Sequence, residues 1–135
     1  MIAASAAAPK KGGVYQATLF ETSAVALQKK VRLGLGYKSF AAEKPGLVYC
    51  SISAFGQEGP RSEEGGFDLT MQAMAGIMSV TGEPDGAPVK CGVPLSDFCA
   101  GLYGAYAVAA VLRRVQQGGA GEHIDVSMLG TSLAV

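Results

Sequence analysis

Leu47, Val48, Tyr49, Cys50 and Ile52 make a short apolar run rich in β-formers, with Pro45-Gly46 before it and Gly56 after it. Such a run between turn residues predicts a buried strand over 47–53, with a loop leaving its carboxyl end at 55–60. The period then changes. Phe67, Met71, Met74, Ile77 and Met78 recur at helical spacing, so a helix is expected over 67–80, stopped by Gly82. Glu83, Pro84, Asp85, Gly86 and Pro88 compose a turn. Pro94 and Ser96 or Asp97 next open a long helix, apolar or small almost all round, that reaches Gln117 before Gly118-Gly119 end it. A second strand is expected over 122–126 and another helix from Ser127 onward.

Upstream the pattern fades. Residues 1–30 read as a weakly patterned lead, flexible around Pro9 and Gly12-Gly13, with a short helix expected over 22–33. Gly34 and Gly36 break that helix, and 39–44 can add one helical turn closed by Pro45-Gly46. The sequence given stops at Val135 inside an apolar stretch without a polar turn, which suggests part of something larger. Alternation of helix and strand indicates an α/β fold with a largely parallel sheet over 31–135.

Composition narrows the class. The 135 residues suffice for one core, and 49% of them are apolar, which argues against disorder. Eleven basic and eleven acidic residues balance, and no basic run occurs. Nucleic acid and anionic membrane surfaces therefore lack electrostatic support as partners. Cys50, Cys91 and Cys99 are odd in number and show no C-x-x-C spacing. Small buried thiols in a reducing cytosol fit better than a disulfide framework or a zinc site, and no metal is expected. Residues 1–8 lack the basic start of a signal peptide. The apolar window 98–112 falls short of the ~20 residues that a bilayer span needs. A soluble, cytoplasmic chain is the expectation.

Candidate chemistry lies where α/β folds collect ligands, at strand carboxyl ends and helix starts. Three places qualify: the 53–60 loop, Gly65-Gly66-Phe67-Asp68, and the segment from Pro94 to Asp97. Neither a phosphate loop nor a dinucleotide fingerprint is present. On residue type alone Asp97 is either a helix cap or a reactive carboxylate, with capping the commoner role. Phe67 is equally a core residue or a ligand's neighbour. A lone Arg32 is ordinarily a solvated surface group.

Residues 44–60 (KPGLVYCSISAFGQEGP), 65–114 (GGFDLTMQAMAGIMSVTGEPDGAPVKCGVPLSDFCAGLYGAYAVAAVLRR) and 118–129 (GGAGEHIDVSML) together resemble the class III CoA-transferases, a family that also holds the α-methylacyl-CoA racemases. The likeness is collinear from about Val31 to Val135. It implies part of the family's large domain, a Rossmann-like parallel sheet with flanking helices. It also implies a mechanism in which one aspartate, matching Asp97, attacks an acyl-CoA thioester and passes through aspartyl-acyl and aspartyl-CoA intermediates. Gly65, Gly66, Phe67 and Asp68 match the segment lining the CoA site, and Arg32 falls where the family has a CoA-contacting arginine. The implied substrates are an acyl-CoA and a carboxylic acid acceptor. No covalently bound cofactor is implied, since CoA is itself substrate. The family's homodimers imply self-association.

The racemases carry a histidine where this chain has Phe67, and phenylalanine cannot exchange a proton, so transfer is favoured over racemisation. Residues 1–30 do not resemble the family's opening βαβ unit. Two further readings stay open: a non-catalytic remnant that associates through an apolar face on the helix after Ser127, and an acyl-CoA binding module without turnover. His123 is read as structural, on a strand edge.

Overall fold

The computed structural model describes residues 16–20 and 33–135. Three parallel strands form one sheet in the order β1 (Gln16–Phe20), β2 (Val48–Ser53), β3 (His123–Ser127). The register pairs Gln16 with Val48 on one side, and Cys50 with Ile124 and Ile52 with Val126 on the other. Between β1 and β2 lies the short α1 (Tyr37–Ala41). Helix α2 (Asp68–Met74), a 3-10 turn (Ile77–Val80) and the 22-residue α3 (Leu95–Gln116) connect β2 to β3, and α4 (Met128–Leu133) follows.

A central parallel strand is covered on both faces, and the unbroken apolar run of β2 matches that placement. Val48, Cys50 and Ile52 point to one face, with Ile124 and Val126 beside them, and α3 lies across them through Ala100, Gly104, Val108 and Val111. Gly104 lets the helix come close. A Cβ there would sit 3.3 Å from Ile52 Cδ1 and 3.5 Å from Cys50 Sγ. Met71 from α2 and Met128 from α4, both fully buried, complete this core where their helices meet beyond the carboxyl ends of the strands. Tyr49 and Ser51 lie on the opposite face. There His123 stacks on Tyr37 at 5.3 Å, and its Nε2 bonds Ser51 Oγ at 2.9 Å. Partial desolvation beneath Tyr37 lowers the His123 imidazole from its ordinary range, opposed by the negative charge of Asp125.

Several expectations need correction. The helix expected over 67–80 is two pieces, because Gly76 takes a left-handed φ of 82° and redirects the chain after α2. Its apolar period is mostly not a buried stripe: Met71 is inside, whereas Phe67, Met74 and Val80 are exposed. The helical turn expected over 39–44 starts earlier, at Tyr37. Strand β1 lies inside the stretch read as weakly patterned. The helix expected over 22–33 falls outside the described residues. Helix α3 matches the long helix expected up to Gln117, but its apolar stretch is longer than the 98–112 window. By length and composition alone it could cross a membrane, and a third of its span is buried inside the protein. Its outer side exposes Phe98, Leu102, Tyr103 and Tyr106. The main exposed apolar surface is therefore on α3. On α4, Met128, Thr131 and Ser132 are buried and Leu133 is exposed.

Candidate active site

Two helix starts meet beside the core. Gly66 brings the chain down onto it: a Cβ at this buried position would meet Met71 Cε at 2.5 Å and Ala54 Cβ at 2.9 Å. Packing alone thus demands a glycine there. Gly65 and Phe67 are exposed, Phe67 at 72%, so its ring lies outside the core. Asp68 opens α2 immediately after it.

Asp68 reaches across to α3. Its Oδ1 accepts the Ser96 backbone N–H at 2.8 Å, and its Oδ2 accepts Gln72 Nε2–H at 2.7 Å. The first free amides of a helix need acceptors. Here an acceptor comes from the neighbouring helix, because the residue preceding α3 is Pro94, which makes no side-chain cap bond. Asp97 is therefore not the cap of α3. The commoner role for an aspartate at this point is filled by Asp68 instead.

Asp97 is half-buried in the first turn of α3, and among the described residues its Oδ1 is shut off from water without a hydrogen-bond partner. The hydroxyl of the fully buried Ser96 is unpartnered in the same way. Burial, with the nearby negative charge of Asp68 as the lesser cause, pushes the Asp97 carboxyl above the usual aspartate range. A helix start by itself favours a negative charge. Here burial and Asp68 outweigh it, so Asp97 is more basic than the sequence suggested. A buried polar atom left unpaired costs stability, and such atoms concentrate where chemistry needs them.

Of the five residues matched to a CoA site, the fold brings Asp68 to the start of α3, near Asp97, with Gly65, Gly66 and Phe67 directly before it in the chain. Arg32 lies outside the described residues. Among the described residues no group of three or more His, Cys, Asp or Glu could hold a metal ion.

The sequence pattern of CoA-transferase family III matches residues 22–135. The chain belongs to that family. Among its relatives, the succinate–glutarate CoA-transferase of Agrobacterium fabrum is 44% identical over 104 residues, which are 77% of this chain and 26% of that protein. The acetyl-CoA:oxalate CoA-transferase of Acetobacter aceti is also 44% identical over 104 residues, 76% of this chain and 27% of its own. A crystal structure of a CAIB/BAIF family protein from Brucella suis superposes with a TM-score of 0.80 at 38% identity, covering 89% of this chain and 31% of that one. This family III chain thus spans about a quarter of the length of these curated relatives.

One participant was missed in the sequence. Gln72 is completely buried, and it serves Asp68, the Cys91 N–H at 2.8 Å and the Val93 carbonyl at 3.4 Å. The usable hint was a polar residue, four positions after Asp68, on the same helical face as the buried Met71 side.

Proposed function

We propose that this chain carries the nucleophilic aspartate, Asp97, of an enzyme that moves CoA between carboxylic acids. The supporting observation is the contrast at one helix start: Asp68 does the capping, and Asp97 is left half-buried, basic and unpaired at Oδ1. An ionised Asp97 oxygen attacks the thioester carbonyl carbon of an acyl-CoA. The carbon–sulfur bond breaks, CoA leaves as thiolate, and a mixed acyl-aspartyl anhydride remains. The thiolate then attacks the aspartyl carbonyl and releases the donor as its carboxylate. An acceptor carboxylate attacks the carbonyl of the resulting aspartyl-CoA thioester, which expels CoA thiolate and leaves a second mixed anhydride. The thiolate then attacks the acceptor's acyl carbon, forms the new thioester and frees the Asp97 carboxylate. A raised carboxyl makes the ionised oxygen the stronger nucleophile. The free N–H groups of the helix start favour charge on it.

The exposed Phe67 ring and the Gly65-Gly66 backbone, directly before Asp68 in the chain, are assigned to cover the thioester arm. Arg32 is assigned to CoA. Proton exchange at a substrate α-carbon needs a base that Phe67 cannot supply, so a racemase is the weaker reading. The exposed apolar outer side of α3 gives the association reading its one support. Succinyl-CoA plus hydroxylamine tests the proposal. A hydroxamate mapped to Asp97 by mass spectrometry, lost in Asp97→Asn while binding persists, is the expected result. Binding without trapping leaves a ligand-binding module, and neither leaves an associating remnant.

A further inference from the structure

Gln72 engages every polar atom of its side chain within the fold. Its Oε1 accepts the Cys91 N–H at 2.8 Å, and its Nε2–H group donates to Asp68 Oδ2 at 2.7 Å and to the Val93 carbonyl at 3.4 Å. Cys91 and Val93 belong to the segment that delivers the chain to α3. Asp68, held by Gln72, puts its other oxygen on the Ser96 N–H. The residue before Asp97 and the segment approaching it are thus tied to one buried amide, which has no exposed surface.

We propose that Gln72 is a positioning residue for Asp97, fixing through Asp68, Cys91 and Val93 the helix start on which the Asp97 carboxylate stands. This rests on the reading of Asp97 as nucleophile. A side chain that makes three bonds within a core holds its partners in one arrangement, and a shift of a reacting atom by about 1 Å can cost ~100-fold in rate.

The test exchanges donor and acceptor. Gln72→Glu keeps an acceptor for Cys91 N–H and sets a second carboxylate against Asp68 Oδ2. Adding Asp68→Asn restores the pair. The amide introduced at position 68 donates to the carboxylate introduced at position 72, while its carbonyl oxygen still accepts Ser96 N–H. Two readouts are followed in the full chain: hydrogen exchange of the Ser96 amide, and the rate of hydroxamate formation at Asp97 from succinyl-CoA. The single variant is expected to speed Ser96 exchange and slow trapping by about tenfold each, and the paired variant to recover most of both. Equal losses in the single and paired variants would mean that Gln72 only fills space, and would overturn the proposal. Wild-type behaviour of Gln72→Glu would overturn it as well. Should Gln72→Glu fail to fold, the paired chain decides: folded with slow Ser96 exchange supports the proposal, unfolded refutes it. A wild-type chain that traps nothing removes the transferase reading, and the exchange cycle then decides the geometry by itself.

Discussion

Asp68 and Asp97 stand in the first turns of two neighbouring helices, and the fold treats them in opposite ways. Asp68 has a bond on each oxygen, one capping a foreign helix and one tying down a buried glutamine. Asp97 has one oxygen enclosed and unpaired, and its carboxyl is pushed up by burial and by Asp68 itself. Two carboxylates in first turns therefore do different work. One carboxylate holds the helix start, and the other is left under tension that a purely structural residue has no reason to keep.

The contrast predicts substitutions of opposite sign. Asp68→Ala removes a cap and strands the Gln72 donor, so denaturant unfolding should show a loss of about 2–3 kcal/mol. Asp97→Asn should instead stabilise the chain, raising Tm at pH 7 by roughly 2–4 °C. The sign follows from linkage. A carboxyl raised in the folded state disfavours folding wherever it is ionised in both states, and that cost disappears as pH falls. The gain from Asp97→Asn should hold above the folded range of Asp97, shrink as pH falls through it, and vanish below about 3.9. Destabilisation by Asp97→Asn at pH 7 would erase the distinction between the two aspartates.

His123 sharpens the contrast from the far face of the sheet. Its ring is lowered by burial, so folding favours the neutral form, and the stability it lends is lost as pH falls through the unfolded value near ~6.5. His123→Gln should flatten this part of the acid limb in a thermal series, on top of a small pH-independent loss from the ring contacts with Tyr37 and Tyr49. The smallest effect belongs to Phe67. With 72% of its surface exposed, Phe67→Ala should change stability by less than ~0.5 kcal/mol, while weakening acyl-CoA binding if the ring covers the thioester arm.

Much of the architecture was legible because its signals are local. The apolar run of β2 between turn residues and the long stretch from Leu95 to the glycines at 118–119 each declare one element. The site was legible only in part. Asp97 stood out as a charge at the start of an apolar helix, yet its own residues could not show whether it caps that helix, because the acceptor at the helix start comes from Asp68, 29 positions earlier. Gln72 left only its four-residue spacing from Asp68 as a trace, since its partners at 91 and 93 meet it only through the tertiary fold. The apolar period over 67–80 misled for a related reason: Gly76 turns the chain, and beyond it the residues no longer share a face.

A site-resolved carboxyl titration decides most directly whether Asp97 is the strained member of the pair. With 13C-labelled aspartate in the full chain, and the resonance assigned by its absence in Asp97→Asn, its midpoint should lie clearly above the ordinary value of about 3.9. A midpoint at or below that value would mean a carboxylate at ease in its surroundings, and would contradict the account.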